Sequence, residues 1–308
     1  MPPRRASRWF LPLLLAGIAL ALAPTFRNGF VYDDTQLIVQ GTFIHDPHNL
    51  PVLLDKPSMV AFNIYAGKTN PVDTFRPLTI ASFMLDAALA GKSPWAYHLT
   101  NLILHLSCVA LVFALAGALL KQESSAVAYG VAAWFGIAPL QSEAHVWISG
   151  RYDVLSSALA LAAILTWRAS IATSSAVRGR ALSALVMPLF LLALLSKEVP
   201  LLMLPALWLW PQDDERARPL LVRLWRRALA LWPFAVSTVI YLAMRMHALQ
   251  GLHTHRDQGQ LWLALTHLPV LLLDGLLQAL APSKTYLRVL SEEYARLATP
   301  EIALAAAG

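Results

Sequence analysis

The stretch 98–120, HLTNLILHLSCVALVFALAGALL, contains no Asp, Glu, Lys or Arg. A helix of this length rises about 35 Å, enough to cross a hydrocarbon core of about 30 Å. Apolar runs recur at 9–23, 126–140, 154–168, 182–195, 199–210, 229–244 and 261–281, several of them short. Apolar residues make up 57% of the 308 and charged residues 14%, with a mean hydropathy of +0.54. Soluble domains carry about 25% charged residues, so a single water-soluble core does not hide this much apolar surface. The expected fold class is all-α: a polytopic transmembrane helical bundle of about 7–8 spans, because helices satisfy their own backbone groups in lipid.

Loop charges set the orientation. Arg4, Arg5 and Arg8 precede the first run. A basic start and an apolar centre also fit a secretory signal, with Ala21–Ala23 as a cleavage site. The run is longer than a typical signal core, however, and the downstream segment reads as joined to it. With the N-terminus in the cytoplasm, alternation places Lys121, Arg168, Arg178, Arg180, Arg216, Arg218, Arg223, Arg226 and Arg227 there too. With the first three arginines these are half of the 24 Lys and Arg, as the positive-inside rule requires. Segment 24–97 becomes a large first outer loop, broken by Pro47, Pro51, Pro57 and Pro71 and too small for an independent domain. Within it, 77–89 (PLTIASFMLDAAL) has the apolar spacing of a helix lying on the membrane surface. The run 261–281 either crosses or returns to the outer face.

Composition excludes several functions. The formal charge of +6 is spread between apolar runs, which argues against a nucleic-acid partner. The single cysteine, Cys108, permits no intrachain disulfide. No Gly-rich phosphate loop or Walker motif is present, which argues against an ATP-driven pump.

Candidate chemistry gathers on the outer side. Asp33 and Asp34 follow the first span by about ten residues. Adjacent carboxylates near apolar and aromatic residues suit general-base work or metal binding. The alternatives are solvated loop acids or an N-cap for 35–40. The cluster 141–153, QSEAHVWISGRYD, brings Glu143, His145, Arg151 and Asp153 to the same face. Arg151 either pairs with Glu143 or Asp153, or offers its fork to a phosphate. Lys197 and Glu198 interrupt two apolar runs, as interface anchors or as the lining of a polar cavity. His98 and His105 share a helical face and are explained at least as well by internal hydrogen bonds as by ligation. His253 and His255 lack a third zinc ligand nearby.

Five motifs in order carry a family resemblance: NGFVYDDTQLI, FRPLTIASFMLD, SPWAYHLTNLILHL, PLQSEAHVWISGRYDVL and LLSKEVPLLMLP. Together they resemble the GT-C membrane glycosyltransferases, in the branch of the tetratricopeptide-linked protein O-mannosyltransferases and their bacterial relatives. The resemblance implies one GT-C-like transmembrane domain over 1–308. It also implies transfer of a sugar, a mannose-like hexose, from a polyprenyl-phosphate carrier to an acceptor hydroxyl on the outer face. The acceptor is a protein or glycan. Asp33 or Asp34 would take the acceptor proton, with inversion at the sugar. Arg76, Glu143, Arg151, Asp153, Lys197 and Glu198 would bind substrate, Arg151 or Lys197 meeting the phosphate. Some branches use a divalent cation, Mg²⁺ or Mn²⁺, and a carboxylate pair has too few ligands to decide this. The implied location is a bacterial inner membrane, with the Asp33–Asp34 loop outside. Two positions depart from the family pattern: Ala138 before Pro139, where His is frequent, and Tyr152, where Lys is frequent. The ending EIALAAAG reads like the start of another span, as in a fragment, a C-terminally truncated gene product or a shortened family member. The competing functions are a non-catalytic membrane subunit or remnant, and a lipid or solute transporter.

Overall fold

The computed structural model describes residues 9–62, 74–120, 125–138, 142–210 and 219–249. All regular elements among them are helical: α1 (Phe10–Leu22), α2 (Val52–Asp55), α3 (Pro77–Ala90), α4 (Pro94–Leu119), α5 (Ser125–Ile137), α6 (Ser142–Val146), α7 (Arg151–Ala172), α8 (Ala176–Ser196), α9 (Leu204–Leu209), α10 (Leu220–Ala230) and α11 (Trp232–Ala248). Short 3₁₀ turns and one π-helical stretch, Thr35–Gln40, connect them.

Among the described residues, four helices are long and apolar enough to cross a membrane: Phe10–Arg27, Pro94–Leu119, Ile148–Ala172 and Ala176–Ser196. A fifth span results if α10 and α11, bent by 52°, count as one. The helical membrane bundle is as expected, but seven or eight full spans are not found among the described residues. The run at 126–140 yields the 13-residue α5. The run at 199–210 is split into a 3₁₀ turn, Val199–Met203, and the six-residue α9, each with a proline in its first turn. Proline lacks the N–H that would continue a helix through it. The run 261–281 lies outside the described residues.

Packing follows from side-chain size. Small residues of α7, Ala160 and Ala163, are buried, letting α7 and α8 lie close together. Phe234 of α11 meets Trp167 of α7 and Phe190 of α8 edge-on, at 5.9 and 4.8 Å between ring centres. Ser237 Oγ donates to Met187 O (2.9 Å), fastening α11 beside the internal Pro188 of α8. Ile18 of α1 packs on Val109 and Ala132 of α4 and α5. The outward faces remain apolar, with Leu20, Ile103, Trp134 and Val239 exposed, the pattern of helices solvated by lipid.

The described residues of segment 24–97 are part of the same body. Leu37, Ile38, Ile44 and Leu53 form one core with Ile80, Phe83, Tyr97 and Ile148. Helix α3 forms as expected, with Ile80, Phe83, Met84 and Asp86 turned into the protein and Leu85 and Leu89 on its open side. His247 Nε2 meets Asp55 Oδ1 at 2.9 Å, tying the end of α11 to α2. At the opposite end Trp167 Nε1 donates to Ala230 O (2.9 Å) and Arg168 lies over Trp210. Segment 24–97, in its described residues, therefore caps the end of the bundle where α4 and α7 begin and α8 and α11 finish.

Candidate active site

Asp33 and Asp34 are adjacent in sequence but opposite in environment. Asp34 is fully buried at 0% exposure, whereas Asp33 is exposed. Asp34 Oδ1 accepts hydrogen bonds from Ser149 N (2.9 Å) and Ser149 Oγ (2.5 Å), and Oδ2 accepts from Val31 N (3.2 Å). Burial pushes the Asp34 carboxyl above its usual 3.8, and these hydrogen bonds only partly offset it. Tyr32 adopts φ 49°, a left-handed conformation costly for a residue with a side chain. The Asp34 bonds and the Trp147 Nε1 contact to Val31 O (3.4 Å) hold that turn. Its result is that Asp33 faces outward, with no hydrogen-bond or ion-pair partner among the described residues. Asp33 lies within electrostatic reach of Tyr152.

Ser149 reaches Asp34 from the 3₁₀ turn Ile148–Gly150. A Cβ at Gly150 would come closer than 3.0 Å to the carbonyl oxygens of Glu143 and Ala144. Gly150→Ala is therefore expected to destabilise the fold by about 1–3 kcal/mol, seen as a lower thermal midpoint in detergent. An unchanged midpoint would mean the turn can relax without cost.

Arg151 lies beneath this loop, fully buried. It forms an ion pair with Asp86 Oδ2 (2.5 Å) and donates to Asn101 Oδ1 (2.7 Å), Tyr97 O (2.9 Å) and Ser82 O (3.2 Å). Its guanidinium sits 4.4 Å from the Phe83 ring centre, and Thr100 Oγ1 donates to the other oxygen of Asp86 (2.8 Å). The pairing expected with Asp153 or Glu143 is not formed. Asp153 is two residues further along α7, roughly 200° around the helix, so it points away. Asp153 instead accepts from Lys197 Nζ (2.6 Å), and Glu143 is exposed. In this structure the Arg151 fork is occupied by the protein. Asp86 was missed in the sequence, although a single acid in an apolar helix signals a buried partner.

Arg76 holds Glu198 in two parallel bonds, Nε to Oε2 (3.1 Å) and Nη2 to Oε1 (2.8 Å). The same guanidinium lies 5.4 Å from the Tyr152 ring centre, and Arg245 is in electrostatic reach of Glu198. Burial alone would raise the Glu198 carboxyl, but the bonds and charge of Arg76 outweigh it and hold the group below its usual 4.5. A lowered folded pKa stabilises the fold above the unfolded value and loses that stabilisation as pH falls through the folded one. The pair is thus expected to weaken progressively below pH 4.5. Glu198→Gln should flatten that part of a stability-versus-pH curve, and an identical curve for both proteins would refute the assignment.

Beside Lys197 a cavity of about 200 Å³ opens between α4, α5 and α7, with Val112, Phe135, Leu161, Pro200 and Met203 in its lining. Asp153, Lys197, Ser156 and Ser157 add the polar part of that lining. Of the residues expected at the site, Arg76 pairs with Glu198 and lies over Tyr152, Lys197 pairs with Asp153, and Asp33 lies in electrostatic reach of Tyr152. Glu143 stays at the exposed surface of α6, and Arg151 and Asp34 are buried. Sequence reading treated Tyr152 only as a departure from the family pattern and did not single out Arg245 as a neighbour of Glu198.

His105 bonds Gly136 O (3.0 Å) and stacks on His145 with ring centres 4.0 Å apart. Its ring is therefore engaged inside the bundle. Among the described residues no three His, Cys, Asp or Glu side chains converge as a metal cage. Both oxygens of Asp34 are taken by protein donors. His253 and His255 lie outside the described residues.

Known proteins resemble this chain over about half to two thirds of its length. It is 33% identical over 144 residues (47% of the chain) to the Drosophila melanogaster protein O-mannosyl-transferase Tmtc1. It is 31% identical over 201 residues (62% of the chain) to Mus musculus protein O-mannosyl-transferase TMTC1. It is 28% identical over 199 residues (62%) to Caenorhabditis elegans protein O-mannosyl-transferase F38B6.6. The matched parts cover only 16%, 20% and 27% of those relatives. No family model matches the chain, and no solved structure matches it significantly. The resemblance to protein O-mannosyltransferases read from the five motifs agrees with these relatives. All three are animal proteins, so they lend no support to a bacterial inner membrane.

Proposed function

We propose that this chain is a membrane glycosyltransferase that moves a mannose-like hexose from a polyprenyl-phosphate carrier to a protein hydroxyl. The observation that carries the reading is a free carboxylate, Asp33, in electrostatic reach of Tyr152, whose neighbour on α7, Asp153, pairs with Lys197 at the edge of an apolar cavity. The relatives' names support the transfer; the donor class is what the GT-C resemblance implies, and the apolar cavity is compatible with it. An isoprenoid chain fits a lining of Val112, Phe135, Leu161, Pro200 and Met203. The phosphate at its head would meet Lys197, which is held in place by Asp153.

The chemistry balances on these groups. Asp33 accepts the proton of the acceptor hydroxyl. The acceptor oxygen bonds to the anomeric carbon from the face opposite the phosphate, and the bond from that carbon to the phosphate oxygen breaks. The phosphate leaves with the electron pair, and its new charge is met by Lys197. Arg76, fixed by Glu198, lies over the Tyr152 ring. If a divalent cation takes part, Asp33 is the free carboxylate that would hold it, and the ion would supply charge stabilisation to the leaving phosphate. The reacting face is the end capped by the outer segment, with the arginine-rich end in the cytoplasm.

The test is transfer of label from a radiolabelled polyprenyl-phosphate mannose to serine- and threonine-containing protein acceptors, in proteoliposomes. Lys197→Gln is expected to cut kcat/KM by about 10²–10³, with Asp153→Asn having a smaller effect of the same sign. Wild-type transfer by Lys197→Gln would remove the lysine from the reaction. Absence of transfer by the unaltered protein would favour a non-catalytic membrane subunit.

A further inference from the structure

At the end of the bundle away from the site, α10 has the sequence LLVRLWRRALA. Steps of 100° put Leu221, Val222, Trp225 and Leu229 on one arc and Arg223, Arg226 and Arg227 on the other. Protein covers little of the apolar arc: Leu221 is 79% and Trp225 66% exposed, and Val222 and Leu229 are exposed as well. The contacts that hold α10 come from elsewhere. Trp208 Nε1 donates to Leu224 O (3.2 Å), and Arg227 Nη1 donates to Leu209 O (3.1 Å). The helix then turns by 52° into α11. Were α10 the first part of a straight span, three arginines would enter hydrocarbon at heavy cost.

We propose that α10 lies in the plane of the leaflet at this end and binds the headgroups of anionic phospholipids. The apolar arc then sinks about 5–10 Å into the boundary between headgroups and acyl chains, while the arginines face the phosphates. The charge of the surroundings matches. Arg178 and Arg180, at the start of α8, are exposed at the same end. The linker 211–218 mixes Asp213, Asp214 and Glu215 with Arg216 and Arg218, so the basic excess is concentrated on α10 and α8. The helix is delivered to the surface by α11, and its lipid binding does not depend on the reaction at the other end.

The experiment uses the full protein with Cys108→Ala and Leu221→Cys, labelled with bimane, in phosphatidylcholine nanodiscs doped with nitroxide-labelled phosphatidylglycerol or phosphatidylcholine. The label is expected to be quenched by both lipids and more strongly by phosphatidylglycerol. Arg226→Gln is expected to lower the preference for phosphatidylglycerol roughly fivefold, and Arg226→Lys to keep it. Arg226 is exposed, so both variants should keep the thermal midpoint. A bimane that neither lipid quenches would overturn the in-plane position. Equal quenching by the two lipids, or a preference untouched by Arg226→Gln, would overturn the anionic site.

Discussion

Asp33→Asn is expected to lower sugar transfer by about 10²–10⁴-fold, the range for loss of a general base, while leaving thermal unfolding in detergent unchanged. The second part follows from exposure: Asp33 has no hydrogen-bond or ion-pair partner among the described residues to lose. Asp34→Asn is expected to behave differently, because its oxygens serve Ser149 and Val31. An amide keeps one acceptor oxygen and sets an NH₂ against a backbone donor, which costs about 1–3 kcal/mol when buried. That variant should lose stability and activity together, since the Tyr32 turn that aims Asp33 outward loses its anchor. Transfer assays run beside unfolding curves separate the two. If Asp33→Asn stays active while Asp34→Asn is inactive and stably folded, the base has been placed on the wrong aspartate.

Arg151→Met should damage folding more than any change at the exposed site. The arginine joins α3, α4 and the start of α7 through Asp86, Ser82, Tyr97 and Asn101. Removing it leaves Asp86 buried without its cation, at a cost of about 3–5 kcal/mol. Expression with a fluorescent tag and size-exclusion profiles in detergent would show loss of the monodisperse peak. The double change Arg151→Met with Asp86→Leu is expected to recover most of it, because replacing both members of a buried pair by apolar groups is often neutral. If the single variant were as stable as the unaltered protein, Arg151 would have no structural role. Its fork would then be available to a substrate phosphate.

The same residues show how far sequence reading reached. Apolar runs and arginine-rich linkers were enough for a helical membrane bundle, because the bilayer imposes length and composition directly on each span. They were too coarse for span count, since Pro200 and Pro205 divide one run into short pieces. Motif order singled out Asp33, Lys197 and Glu198 as candidate site residues. It left Arg151 undecided between a substrate and a structural role, because its partner Asp86 comes from another helix, 65 residues earlier in the chain (151 − 86).

Residue order alone dictates the solvent of this protein, its helical class and the segment that carries the acidic pair. Those depend on local properties: run length, charge and motif spacing. Three further features come from the packed bundle: which aspartate is held and which is free, which acid neutralises Arg151, and the position of Lys197 beside an apolar cavity. Each of them depends on a contact between segments distant in the chain, fixed by packing and by the need to pair every buried charge.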